Sequence, residues 1–262
     1  MKKTAWVAFR KTLDRYRSSI DTTGAAVPDL GGIIQQLISN REGPSYTVKT
    51  PVVYNLALND ISPESEIKMI LAGDNPGRRE QEDCRYLVGP SGKIAEKFFL
   101  NNPELGINFR KNVLLLNKTP IHTPRTGELK DLCKLGGRQL ENAVLSSQQH
   151  MAELLNEFWK AFSGKIKRPE GRRAALKQPV IPVWIIGYSE MRKGGIFETY
   201  TKTLKSLCGT DPEFKNSLFF FRHFSMNQFA IDIKRQARPG EGLAESLRRI
   251  GAAYRERILG HD

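Results

Sequence analysis

The sequence predicts an α/β fold, a three-layer α/β/α sandwich around a short, mainly parallel central sheet. Three observations predict it. Four apolar runs of strand length occur at residues 67–72, 113–116, 180–186 and 218–221. Their apolarity is continuous rather than alternating, as expected of strands covered on both faces. Stretches of helical periodicity lie between the runs, and strands alternating with helices give a parallel sheet with helices on both sides. Turn chemistry follows each run, which places polar residues in the crevice beyond the carboxyl ends of the strands.

Taken in chain order, residues 1–20 read as a basic amphipathic helix. Trp6, Phe9, Leu13 and Tyr16 recur at three- and four-residue steps between Arg10, Lys11, Arg15 and Arg17. This pattern suits a docked helix or a partly free one. From residue 21 to 65 the periodicity is broken by Gly, Pro, Ser and Asn, leaving a short apolar helix at 30–38 and an extended piece at 51–56. Residues 1–60 are thus expected to wrap, as a helical and extended region, around an α/β domain of residues 61–262. Within that domain helices are predicted at 92–100, at about 138–162 and at 199–207. The long one carries Leu140, Val144, Met151, Leu154, Leu155, Phe158 and Phe162. A last helix, with Leu243, Leu247, Ile250, Tyr254 and Ile258 on one stripe, is expected to pack back on the domain.

Composition narrows the function less than it narrows the fold. The chain has 41 Lys+Arg against 28 Asp+Glu, a net charge of +13, which fits either a polyanionic partner or a solvated basic face. Cys84, Cys133 and Cys208 are odd in number, widely spaced and without a C-x-x-C pair, so they provide neither a disulfide framework nor a metal site. No metal and no cofactor is expected. No run approaches the roughly 18 apolar residues of a membrane span, and the basic start has too short an apolar stretch for a secretory signal. A cytoplasmic monomer with no membrane partner is expected. The chain has no G-x-G-x-x-G, P-loop or nucleophile elbow to support a small-molecule enzyme on the same sheet.

Three strand ends carry unusual residues. The first run is followed by Gly73-Asp74-Asn75-Pro76-Gly77-Arg78-Arg79-Glu80, a tight turn offering a carboxylate and an amide. The second ends at Asn117, whose amide both donates and accepts and suits a planar ligand with an imide edge or, equally, a satisfied turn. The fourth leads into Arg222-His223-Phe224-Ser225-Met226-Asn227. The fold brings these three ends to one crevice whatever their identity.

These residues resemble the uracil-DNA glycosylase superfamily. Leu71-Ala72-Gly73-Asp74-Asn75-Pro76-Gly77 is similar to that family's water-positioning motif, and Arg85-Tyr86-Leu87-Val88-Gly89-Pro90-Ser91-Gly92-Lys93 to the segment that follows it in the iron–sulfur branch. Val113-Leu114-Leu115-Leu116-Asn117 is similar to the strand ending in the uracil-reading Asn. Val183-Trp184-Ile185-Ile186-Gly187 resembles the next strand, and His223-Phe224-Ser225 the His-Pro-Ser loop. The resemblance spans residues 67–227 in the family's order. It implies a DNA glycosylase of base excision repair that flips uracil or a related deaminated base out of DNA and hydrolyses its glycosidic bond. Asn117 would read the O4 and N3–H edge, and His223 would donate to O2 as the base leaves. Asn75 and Asp74 are the candidates for orienting the attacking water. Gly73, Tyr86 and Leu87 would complete the base pocket, Leu87 standing where the family has a stacking Phe. Phe224 replaces the loop proline, the family's intercalating Leu falls at Asn227, and the four cluster cysteines of the iron–sulfur branch are absent.

The expected partner is single- or double-stranded DNA containing a damaged base. Arg78, Arg79, Lys118, Arg125, Ser225 and Asn227 are the expected contacts to DNA near the crevice. Lys160, Lys165, Lys167, Arg168, Arg172, Arg173 and Lys177, and separately Lys234, Arg235 and Arg238, suit phosphate contacts or a solvated basic loop. The alternative function is a catalytically weak or inactive member of the same family that binds nucleic acid or a partner through the same crevice.

Overall fold

A computed structural model describes residues 1–163 and 180–260. Its centre is a four-stranded, all-parallel sheet of β1 (Met69–Gly73), β2 (Val113–Asn117), β3 (Val183–Ile186) and β4 (Leu218–Phe221), in the order β2-β1-β3-β4. The helices are α1 (Lys3–Ala25), α2 (Leu30–Ser39), α3 (Arg78–Asp83), α4 (Pro90–Asn101) and α5 (Phe109–Asn112). They continue with α6 (Leu129–Phe162), α7 (Glu198–Thr210), α8 (Pro212–Ser217), α9 (Gln228–Gln236) and α10 (Leu243–Leu259).

The continuous apolarity of the strands is explained by two buried faces. Ile70, Ala72, Leu114, Leu116, Val183, Ile185, Leu218 and Phe220 join one core with residues of α1, α2, α6 and α7. The alternate residues Met69, Leu71, Val113, Leu115, Trp184, Ile186 and Phe221 join a second core with Phe99 of α4, Phe109 of α5, Phe229 of α9 and Leu247 and Ile250 of α10. On this second face, a Cβ on Gly251 would lie 2.7 Å from the Phe219 Cβ, so only glycine lets α10 approach β4 this closely.

The N-terminal helix is docked rather than free. The Phe9 ring lies 5.7 Å from the Phe158 ring on α6, tilted against it, and buried Tyr16 shares a 3.0 Å hydrogen bond with the Tyr86 hydroxyl. The extended piece covers the exposed edge of the sheet, as edge strands require. Val52 bridges Ile121, the Val53 N–H donates to the Pro120 carbonyl (2.9 Å), and Asn55 Nδ2 donates to the Leu115 carbonyl (2.9 Å).

Differences from the sequence expectations have local causes. β3 starts three residues late because Pro182 lacks an N–H for the ladder; its carbonyl still accepts from the Ile70 N–H at 3.0 Å. The long helix starts at Leu129, not near 138, and breaks at Gly137, which adopts φ 65°. Gly136 and Gly137 interrupt the helical periodicity, which hides the turns before them. Helices α3, α5, α8 and α9 have four to nine residues, too few to show a period. Cys208 is buried, whereas Cys84 and Cys133 are half-buried, and all three are free thiols. Among the described residues no helix is long and apolar enough to cross a membrane.

Candidate active site at the carboxyl edge of the sheet

Parallel strands put all their carboxyl ends on one side, and the crevice opens where the chain order reverses, between β1 and β3. A cavity of about 1350 Å³ lies there. Its wall includes Asp74 and Asn75 after β1, Asn117 at the end of β2, Gly187 and Ser189 after β3, and His223, Ser225 and Met226 after β4. The three polar strand ends singled out in the sequence therefore share one wall.

Asn117 is 2% exposed, and its Nδ2 is buried with no hydrogen-bond partner. Its amide fits because the residue opposite in the β1–β2 register is Gly73, where a Cβ would lie 2.5 Å from Asn117 Oδ1. Gly73 thus makes room for the Asn117 amide rather than lining the cavity. A buried, unpaired amide donor costs about 1–3 kcal/mol, a deficit that a ligand carbonyl would relieve.

Asn75 is held from its nitrogen side. Nδ2 donates to Thr123 Oγ1 at 2.8 Å and to the Ile121 carbonyl at 3.3 Å. This leaves Oδ1 as an acceptor with no partner among the described residues. His223 is fixed in the complementary sense. The Ser225 main-chain N–H, which can only donate, lies 3.1 Å from Nδ1, so Nδ1 accepts and the neutral ring carries its proton on Nε2. Burial lowers the His223 pKa below the ordinary value; Asp74 opposes that effect and Lys118 adds to it.

Asp74 is buried beside a cation. Lys118, fully buried, places Nζ 2.6 Å from Asp74 Oδ1 and also donates to the carbonyls of Gly73 and Ile186, tying β1 to β3. Its ammonium sits 5.0 Å from the Phe197 ring centre. Gly187, at φ 78°, is required twice over: for that left-handed backbone, and because a Cβ there would come within 2.3 Å of Asp74 Oδ1.

Several sequence expectations are corrected. Lys118 is not a phosphate contact, since it has no exposed surface and is committed to Asp74. Tyr86 is not part of the base pocket: it is fully buried, donates to the Val53 carbonyl at 2.7 Å and meets Tyr16, so it anchors the N-terminal helix. Leu87 does line the cavity, at φ 52°, and among the described residues no Phe, Tyr or Trp does. Asn227 is exposed outside the cavity wall, and Met226, 78% exposed, holds the rim position instead. Ser225 lines the cavity, but its hydrogen bonds go to His223. Phe224 is buried and stacked 4.4 Å from Phe229, which anchors the loop in the core.

Arg78, Arg79 and Arg125 are exposed and line the cavity together with Lys93. Arg78 lies 3.1 Å from Glu82 and 4.8 Å above Tyr46. Lys234 and Arg235 are exposed in the last turn of α9, with Arg238 just beyond. Lys160 is exposed near the end of α6. Lys165, Lys167, Arg168, Arg172, Arg173 and Lys177 lie outside the described residues.

Two titrating groups at this edge were not signalled by the sequence. Glu80 accepts from the N–H groups of Gly77 and Leu87, clamping the turn after β1 to the cavity wall. Burial raises its pKa to about 7, an effect those two hydrogen bonds oppose and nearby Asp74 reinforces. His122 donates from Nδ1 to the Pro76 carbonyl (2.8 Å) and accepts at Nε2 from the Tyr46 hydroxyl (2.9 Å). Burial lowers its pKa to about 4.

The signs of these two groups oppose each other. Below its unfolded value of about 6.5 the His122 ring is protonated in the unfolded chain but not in the fold, so its contribution to stability is lost as pH falls from about 6.5 to about 4. Glu80 keeps its proton in the fold up to about 7 but only to about 4.5 when unfolded, so stability is gained over nearly the same fall. Each amounts to something on the order of 3 kcal/mol. Glu80→Gln removes one side of this balance. Urea denaturation at pH 7 and pH 5 is expected to show the variant losing more stability on acidification than the unaltered protein; equal losses would contradict the opposition.

Among the described residues no group of three or more His, Cys, Asp or Glu side chains is placed to hold a metal ion. No protein-family model matches the sequence, and no curated protein matches it.

Proposed function

We propose that this protein is a DNA glycosylase with a uracil-DNA glycosylase-like fold, which hydrolyses uracil or a related deaminated base from DNA. The observation that carries the reading is the unpaired, buried amide of Asn117 in the same cavity wall as a His223 donor and an Asn75 acceptor. A uracil edge presents a carbonyl acceptor at O4 and a donor at N3–H, which one carboxamide can meet with Nδ2 and Oδ1. Cytosine presents the reverse pattern and would leave both groups unpaired.

In the reaction the bond from the sugar carbon to the base nitrogen breaks with its electron pair, and negative charge develops on uracil O2. The neutral His223 ring, holding its proton on Nε2, donates a hydrogen bond to that oxygen and stabilises the leaving anion. Asn75 Oδ1 orients the water whose oxygen forms the new bond to the sugar carbon, and the proton the water gives up passes through solvent to the departing uracil anion. The Asp74 carboxylate, held by Lys118, stands behind the same turn and stabilises the positive charge on the sugar. Met226 at the rim is the apolar side chain placed to fill the space the flipped base leaves.

The test is cleavage of a uracil-containing oligonucleotide, single-stranded or paired as U·A or U·G, followed by alkali. Abasic product is expected, and its absence from all three substrates would refute the reading. A second reading, nucleic-acid binding without catalysis, is favoured by one observation: among the described residues no Phe, Tyr or Trp lines the cavity to stack a base.

A further inference from the structure

We infer that the cavity continues into a separate phosphate-binding groove, lined by Arg192, Lys193, Lys202, Lys205, Arg222 and Arg257, which takes the sugar-phosphate backbone of the strand whose base enters the site. This rests on the reading of the site as one for nucleic acid. The groove has a volume of about 660 Å³ and meets the cavity at Ser189, which lines both. It is built from the turn after β3, α7, the end of β4 and α10, and so lies on the other side of the site from Arg78, Arg79 and Arg125.

Charge distinguishes this surface from an ordinary solvated face. Its six cations are accompanied in the lining by one acidic residue, Glu198, which is already bound to Lys202 (2.9 Å) and to the Gly194 N–H (2.8 Å). Arg222 lies 3.5 Å from Asp232. Arg192, Lys193 and Arg257 are exposed and have no ion pair among the described residues. Like charges gathered along a concave wall repel one another and focus a positive potential that favours a polyanion. Side-chain cations on long stems, spread along the wall, suit a backbone passing through rather than an enclosed nucleotide. Arg222 immediately precedes His223 in the chain, so a strand held in the groove is held beside the catalytic loop.

The test is the triple variant Arg192→Ala, Lys193→Ala, Arg257→Ala, none of which lines the cavity. Its binding to an undamaged single-stranded oligonucleotide is followed by fluorescence anisotropy across a salt series, with its thermal melt as the folding control. Each engaged cation contributes about 0.7 to the slope of log affinity against log salt, so the slope is expected to become shallower by about 2. An unchanged slope overturns the groove, as does an unaltered protein that binds no oligonucleotide. Displacement of the oligonucleotide by tripolyphosphate from the unaltered protein but not from the variant would identify a small-anion site and also overturn it. The two readings fail separately. Uracil excision by a variant with an unchanged slope leaves the glycosylase standing without the groove, and a lost slope with no excision on any substrate leaves the groove without the glycosylase.

Discussion

Replacing His223 with alanine is expected to slow uracil excision by about 10²- to 10³-fold, the usual cost of removing one donor to a developing oxyanion, with little change in binding to undamaged DNA. The size of the effect follows from the preorganised ring. The Ser225 main-chain N–H occupies Nδ1, so the single proton of the neutral ring lies on Nε2 without any rearrangement at the moment of reaction. Burial keeps the ring neutral below the ordinary histidine value, and the acid limb of the pH–rate profile that belongs to His223 is therefore expected below about 6.5. Single-turnover rates across pH would show this; an alanine variant within tenfold of the unaltered rate would remove His223 from the chemistry. Ser225→Ala keeps the main-chain donor and loses only the hydroxyl at 2.9 Å, so it is expected to have a much milder effect.

What the sequence made legible follows from which signals are local. Four buried strands were readable because burial on two faces leaves no polar position to interrupt the run, and β4 falls on the residues expected, 218–221. Asn117 and His223 were readable because a parallel sheet brings strand ends together whatever they are. Lys118 was misread because lysine is ordinarily exposed, and its partner, Asp74, is 44 residues away. Tyr86 was misread for a similar reason: its neighbour Leu87 faces the cavity while Tyr86 faces Tyr16, 70 residues earlier. The clamp made by Glu80 is local on one side only: its bond to the Gly77 N–H is the capping box of α3, whereas its burial and its bond to the Leu87 N–H leave no pattern in the chain.

The second large effect concerns the pair that the sequence did not reveal. Lys118→Met is expected to destabilise the protein by about 3–5 kcal/mol, the cost of removing one partner from a buried ion pair, measured as a shift of the urea midpoint without change in slope. The two halves of the pair are not equivalent. Without Lys118, Asp74 at 8% exposure retains, among the described residues, one side-chain hydrogen-bond donor, Thr126 Oγ1 at 3.4 Å. Without the Asp74 charge, as in Asp74→Asn, Lys118 still has the carbonyls of Gly73 and Ile186, and burial already lowers its pKa, so it can shed its proton. Asp74→Asn is therefore expected to cost less than Lys118→Met. The double variant should recover part of the loss, because the carboxylate left unpaired in the single variant is gone. Equal costs for the two single variants, or a double variant as unstable as their sum, would mean that Lys118 acts as an apolar filler of the β1–β3 crevice and not as the counter-ion that fixes the Asp74 carboxylate at the site.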